Sequence, residues 1–448
     1  MTQLPETSAG GDDGSGGNGG NGRSSSPGAP STESSASASA PGSLWRHRDF
    51  LLLWGGQTVS DMGSAITTLA LPLLAVSVLK ATTFQVSFII FLTYLAYLLI
   101  TLPAGVLVDQ VRKHGLMMWC DLARTALLGS VPIVATLWHV TLWQIYLVAL
   151  FGGALSVFFD VAYQSYVPAI VQGEQLVDAN GKLGTTNSFA GLLGPSIGGA
   201  LVGLIGAAKA VAVDAASFAI SALSLVLIRT PEPKPERRAE HVTFRAAMHE
   251  GLSFVVKHPI LRKIVACTST SNLFSACFGA VEIVFLVRTL HASPALVGLL
   301  FSLGAVGGLV GGLTAGWFAK KVGSARIIWA SILLPAPFSL LIPLAQPGWG
   351  TLLFAAGNVA FSLSALLYNS AQVSYRQRIC PPELLGRMNA SVRWIVWGTL
   401  PLGALMGGAL GTWIGIRPTL WIGVVGSALA GLFVFFSPLR TMRDVPST

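Results

Sequence analysis

From about residue 50 to residue 437 the sequence is a succession of apolar runs broken by short polar segments. Each run is close to the ~20 residues that a helix needs to cross the hydrocarbon core of a bilayer. Twelve spans are predicted, near 50–79, 84–107, 116–137, 141–168, 184–205, 209–228, 264–287, 295–318, 327–345, 351–375, 392–413 and 419–437. The break at 229–263, which opens Arg229-Thr-Pro-Glu-Pro-Lys-Pro-Glu-Arg-Arg, is far longer than the others and divides the spans six and six. Residues 1–43 are mostly Gly, Ser, Ala and Pro with almost nothing to bury, so a disordered tail is expected there. The expected organisation is a tail (1–43), a six-helix bundle (44–228), an inter-bundle loop (229–263), a second six-helix bundle (264–438) and a short tail (439–448).

The halves resemble each other. At an offset of 209 residues, Ser165-Tyr166, Leu176, Asn180, Gly194, Gly198-Gly199 and Ala200-Leu201 recur as Ser374-Tyr375, Leu385, Asn389, Gly403, Gly407-Gly408 and Ala409-Leu410. A tandem repeat of spanning units points to a parallel-repeat transporter, which holds its substrate between the repeats. Composition agrees, since charged residues are 10% of the chain against roughly 25% in a soluble domain.

Charge then sets an expected orientation. If the N-terminus is cytoplasmic, only Lys80, Lys209, Arg288 and Arg417 fall in outside loops; nearly all other Lys and Arg fall inside, as the positive-inside rule requires. Both termini are therefore expected in the cytoplasm, beneath the cell (plasma or inner) membrane. The net charge of +9 needs no nucleic-acid partner, because anionic inner-leaflet lipid would attract those cations. Cys120, Cys267, Cys277 and Cys380 are expected reduced, and neither a metal site nor a cofactor is implied.

Three segments stand out together: Leu44-Trp45-Arg46 with Asp49-Phe50, the stretch from Phe158 to Tyr166, and Leu384-Leu385-Gly386-Arg387 followed by Trp397-Gly398-Thr399. Jointly they resemble the major facilitator superfamily, in particular its twelve-span drug/proton antiporters near the macrolide and enterobactin exporters. The resemblance runs from about Leu44 to Leu439. It implies an all-α membrane protein with twelve transmembrane helices in two pseudo-symmetric six-helix bundles. It also implies a monomeric, proton-coupled exporter of hydrophobic or amphipathic small molecules such as drugs, macrolides or siderophore-like natural products. A proton-coupled uptake symporter and a non-transporting receptor or scaffold are the alternatives; the intramembrane acids argue against the last. No span or loop assembles a nucleophile with a base, so an enzyme is not expected.

Gly194-Pro195-Ser196-Ile197-Gly198-Gly199 in span 5 matches the family's antiporter signature, although Ala190 stands where many members have an earlier Gly. Pro195 removes a helical hydrogen bond and the glycines admit a close neighbour; a kinked packing helix is the plainer reading. The loop Gly105 to His114 resembles the family's gating loop, with Gln110 in place of the usual cation and Arg112 where Gly is expected. The expected gate has two ion-pair latches, Asp109 with Arg387 and Asp178 with Lys320 or Lys321, next to Arg112 and Lys113; a basic loop that only sets topology is the alternative. Gly304, Gly308, Gly312 and Gly316, and likewise Gly403, Gly407, Gly411 and Gly415, recur every four residues. They are expected either at the sliding interface between bundles or in packing within one.

Asp61, Asp160 and Glu282 fall inside spans, where a charge is costly without a partner or water. In the resembling fold spans 1, 4, 7 and 10 line the cavity, so all three are candidates for proton or substrate coupling, with structural pairing equally open. Arg124 and Arg393 are possible partners. Span 4 lacks the Arg that many drug antiporters carry. The expected cavity lining is Gln57, Tyr163, Gln164, Asn272, Asn358, Tyr368, Asn369, Trp394 and Trp397, suited to a bulky amphipathic or weakly cationic compound.

Overall fold

A computed structural model describes residues 44–171, 175–230, 232 and 244–444; the described side chains exclude those of residues 46, 102, 106, 109, 244–249, 382 and 383. The expected tail 1–43 lies outside the described residues. Regular structure in the described residues is helical throughout: α1 (Arg48–Ser77), α2 (Thr83–Gln110), α3 (Lys113–Leu137), α4 (Leu142–Ile170), α5 (Gln175–Ile205), α6 (Ala207–Val226), α7 (Phe244–Lys257), α8 (Pro259–Val284), α9 (Pro294–Val322), α10 (Arg326–Leu333), α11 (Ala336–Ser339), α12 (Leu341–Leu344), α13 (Thr351–Ile379), α14 (Pro382–Trp413) and α15 (Ile416–Phe435). Twelve segments have the length and apolarity to cross a membrane.

Every predicted span is helical, with departures where local chemistry intervenes. Span 9 is three short helices, α10 to α12, because Pro335 and Pro343 cannot donate the backbone bonds that would continue one. Part of the 229–263 break is also helical: α7 fills its second half and α8 starts at Pro259. His258 Nδ1 caps α8, accepting from the N–H groups of Ile260 and Leu261 at 3.3 and 3.2 Å. Partial burial pushes the His258 pKa down, which favours the neutral, accepting ring.

The 209-residue repeat reappears in the backbone. Gly206 (φ 86°) and Gly415 (φ 97°) head α6 and α15 in left-handed conformations that a glycine adopts without strain. Gly415 is therefore a turn residue and not a rung of a packing ladder.

Both ends of the described chain and α7 lie at one end of the bundle, here called the terminal face; the opposite end is the far face. Within the first half α1 packs on α5 and α6, α3 on α4 and α6, and α2 on α4. Within the second, α8 packs on α14 and α15, and α9 on α13. The halves touch along two seams, α5 with α9 and α2 with α14. The apolar core follows the same plan. Toward the far face one continuous cluster joins Leu73, Val86 and Val202 of the first half to Val284, Phe285 and Leu300 of the second. Toward the terminal face each half has its own cluster, around Phe50, Val108 and Tyr166 in one and around Leu261, Met388 and Leu439 in the other. The molecule is sealed at the far face and divided at the terminal face.

Trp138, Trp143, Trp349 and Trp413 are exposed at the far-face ends of α3, α4, α13 and α14. Amphipathic rings at helix ends suit the boundary between lipid and water.

Candidate functional site

The far-face seams are built from small residues. On α5, Pro195, Ser196 and Gly199 face α9: a Cβ on Gly199 would lie 2.3 Å from the Pro294 carbonyl oxygen, and one on Gly298 would lie 2.2 Å from that of Pro195. The Ser196 N–H and hydroxyl both donate to Ser302 Oγ, at 3.1 and 2.8 Å. In the α2–α14 seam a Cβ on Gly408 would meet Ser87 Cβ at 2.6 Å. The Ser87 hydroxyl also reaches the Ala280 carbonyl at 3.0 Å, and Arg288 donates to the Ala81 carbonyl across the halves. Without a hydrophobic drive between helices in lipid, such close approach is what holds them together.

The expected glycine ladders point elsewhere. Gly194 and Gly198 face Ala65 and Ile66 of α1, inside the first half. Gly304 and Gly308 face Asn358 and Leu366 of α13, Gly403 and Gly407 face Leu273 and Cys277 of α8, and Gly312 and Gly316 have nothing within 4 Å of a Cβ. Of the two ladders only Gly411 reaches the other half, touching Thr83 as well as Val281. A residue turns by ~100° along a helix, so the seam lies one residue on at Gly199 and Gly408, and two residues off the four-residue ladder at Gly298.

Two large cavities occupy the terminal half of the bundle. The first, of about 580 Å³, lies among α1, α4 and α5 and is lined by Gln57, Asp61, Asp160, Tyr163, Gln164 and Asn187 with neighbours nearer the terminal face. Gln57 Nε2 donates to Asp61 at 2.6 Å, and the Tyr97 hydroxyl on α2 is within reach of Asp160. The second, of about 770 Å³, lies among α2, α8, α13 and α14 and includes Tyr97, Asn272, Asn369, Gln372, Arg376, Arg393, Trp394 and Trp397. Tyr97 and Trp397 face each other across the gap with ring centroids 6.2 Å apart.

Most expected lining residues thus fall in one or other of these two cavities, but three placements differ. Asn358 is 6% exposed and packs against Gly304, its Nδ2 directed at the Leu300 carbonyl, so it fills the inside of the second half. Tyr368 is buried beside a smaller cavity of about 270 Å³ and bonds Thr268 at 2.7 Å. Glu282 lines none of these cavities: it is 6% exposed, one carboxyl oxygen has no partner, and it lies within the sealed far-face layer next to Val281 and Ile283. Glu282 lies two residues from the far-face end of α8, whereas the second cavity touches that helix only at Thr268 and Asn272. The possible partners are also resolved. Arg124 pairs with Asp121 one turn earlier and lies against the rings of Phe159 and Phe218, 4.5 and 4.0 Å from their centroids. Arg393 lies over Trp397.

The Asp178 latch is not made in this arrangement, and Arg387 has another partner. Arg387 pairs with Glu250 of α7, and Asp178 pairs with Lys182 at 2.5 Å, one turn along the same helix. The Asp109 side chain lies outside the described residues. Lys321 sits over the Trp317 ring at 4.8 Å, and Lys320 has no ion pair among the described residues. Lys113 meets Glu232 at 3.7 Å; that carboxylate also accepts from the Lys113 and His114 N–H groups, at 2.7 and 3.1 Å, and satisfies the start of α3, whose N-cap Arg112 offers no side-chain bond. Asp444 likewise accepts from the Ser324 N–H at 2.9 Å, and that bond, with Arg443 and Arg326 nearby, holds its carboxyl below the usual range. With the terminal face divided, Arg387 and Lys113 take acids from the linker, and the Ser324 N–H takes Asp444 from the tail.

The Glu250–Arg387 pair is half-exposed, with side-chain accessibilities of 46% and 37%. Glu250→Gln is therefore expected to change stability by no more than ~0.2–1 kcal/mol. A thermal-unfolding double-mutant cycle with Arg387→Gln checks this, and a coupling well above that range would show the pair to be structural.

Sequence reasoning missed Tyr97, Gln372 and Arg376. Arg376 belongs, by its position after residue 375, with the loop cations; the structure extends α13 to Ile379 and makes it part of the cavity wall. The signal was a polar stripe at helical spacing, Asn369, Gln372 and Arg376.

The sequence profile described as transmembrane secretion effector matches residues 36–447. The chain is 24% identical over 407 residues to the multidrug efflux pump Tap of Mycolicibacterium fortuitum, covering 89% of this chain and 97% of that one. It is 25% identical over 415 residues to the enterobactin exporter EntS of Citrobacter koseri, covering 89% and 94%. Its backbone matches a crystal structure of a bacterial homologue of the iron transporter ferroportin in an inward-facing state with a TM-score of 0.69, at 15% identity, over 88% of this chain and 98% of that one. At that identity the likeness bears on the fold alone.

Proposed function

We propose, for a chain that belongs to the transmembrane secretion effector family of the major facilitator superfamily, that it drives amphipathic small molecules out of the cell by alternating access in exchange for protons. The family is one of transporters, not enzymes, and the chain is a multi-pass membrane exporter with a small-molecule substrate. The terminal face is cytoplasmic: it carries the basic loops and tails, as the positive-inside rule expects. The conformation described is then inward-facing, loaded from the cytoplasm and closed to the outside. The protein works as a monomer, the two halves rocking about the divided terminal face.

The observation that carries this reading is the asymmetry of the contact between halves. They form one core with two glycine-tight seams at the far face, and two separate cores with large cavities toward the terminal face. Rocking the halves would open the first and close the second. Asp61 and Asp160 share a cavity on the cytoplasmic side, where each can exchange a proton with water in this state. Their ionisation is what the proton gradient would act on, since a neutral acid is far better tolerated inside a span than a charged one.

Cells expressing the protein should accumulate less of an amphipathic fluorescent dye than cells without it, and a protonophore should erase the difference. Equal accumulation across a broad dye panel would count against export; a difference that survives the protonophore would count against proton coupling.

A further inference from the structure

The cavity among α2, α8, α13 and α14 carries two arginines, and none of the described residues lining it is Asp or Glu. Among the described residues neither Arg376 nor Arg393 has an ion pair. Arg376 Nε is shut off from solvent without a hydrogen-bond partner, and so is Gln372 Oε1 one turn before it. Arg393 lies over the Trp397 ring, 5.0 Å from its centroid. Arg376 is part-buried and lacks the counter-charge that a desolvated cation requires, and Arg393, exposed at the same cavity wall, adds a second unpaired positive charge. Their planar forks match the paired oxygens of carboxylates and related anions. A cationic ligand would bring a third positive charge into the same space.

We infer that this cavity binds amphipathic anions: aromatic or largely apolar molecules bearing a carboxylate, a sulfonate or an ionised phenol. The charged group lies by Arg376 and Arg393. The apolar body reaches inward to Trp394, Trp397 and Tyr97, and the amides of Asn272, Asn369 and Gln372 serve its remaining polar atoms. This replaces the sequence-based expectation of a weakly cationic compound for this part of the cavity. It names a substrate class for the exporter reading and rests on that reading for its biological sense, although the binding it asserts can be measured without transport.

The full chain, purified in detergent micelles, is titrated calorimetrically with a naphthalenesulfonate, with neutral naphthol and with naphthylmethylammonium, empty micelles being subtracted. The sulfonate is expected to bind at least about tenfold more tightly than the ammonium, a difference easily resolved in such a titration. Arg376→Gln and Arg393→Gln should each weaken sulfonate binding by about tenfold and leave naphthol unchanged, while Arg378→Gln, on the exposed side of α13, leaves both unchanged. If a Gln variant also loses naphthol, the matching Lys variant decides: retained preference for the sulfonate supports the site and lost preference overturns it. Ammonium binding as tight as sulfonate binding, or parental sulfonate affinity in the double Gln variant, overturns it as well. Dye export without any preference for the sulfonate would remove this inference and leave the exporter; the preference without export would do the reverse.

Discussion

Leucine at Gly199 or at Gly298 is expected to reduce efflux to the level of cells lacking the protein, while the chain still inserts and folds. At both positions the first atom of a side chain would sit 2.2–2.3 Å from a backbone oxygen of the facing helix, where non-bonded carbon contacts need ~3.5–4 Å. A backbone oxygen cannot rotate away as a side chain could. The only relief is separation of α5 from α9, which opens the far face and breaks the Ser196–Ser302 bonds. The separate terminal-face cores of the two halves do not involve this seam, so each half should hold. A single cysteine at Ser302, in a background without Cys120, Cys267, Cys277 and Cys380, should be labelled from outside much faster in these variants than in the parent. Gly312→Leu, where nothing lies within 4 Å, should transport normally. Parental efflux in both seam variants would show that close contact of α5 with α9 is not needed for transport.

Asparagine at Asp61 or Asp160 is the second large effect: concentrative efflux should disappear while downhill equilibration persists. Both acids line the same cavity, and asparagine keeps the shape and the hydrogen bond from Gln57 or toward Tyr97 while removing the exchangeable proton. An ionised acid inside a span costs at least ~2.5–3.5 kcal/mol, so protonation there is a sufficient handle for the gradient. In proteoliposomes under an imposed pH gradient, the ratio of inside to outside dye should fall to unity for the coupling residue. A parental ratio in both variants would move the search to Glu282, whose carboxyl is buried in the sealed layer and meets water only if the far face opens.

Span positions were legible because lipid leaves a crossing segment little choice: its backbone must bond internally and its surface must be apolar for about 20 residues. The same constraint explains where reading failed. Pro335 and Pro343 break span 9, and Arg376 was assigned to a loop because a run of apolar residues ends before its helix does. Asp61, Asp160, Asn272, Asn369, Trp394 and Trp397 stood out as polar or aromatic exceptions in apolar stretches, and they do line cavities. Asn358 and Glu282 stood out for the same reason and do not, since rarity in a span says nothing of which neighbour a side chain faces.

Local chemistry along the chain by itself determined the twelve spans, the tandem repeat and the loops in which cations collect. Only the tertiary structure decided which face of each helix meets the other half. Gly198 and Gly199 are neighbours in sequence, yet one packs on α1 and the other on α9; Arg387 found Glu250 from the linker, and Arg376 turned into a cavity instead of a loop. Periodicity assigns residues to faces of a helix, but the identity of the helix across each face depends on rotations and tilts set by packing against every neighbour at once.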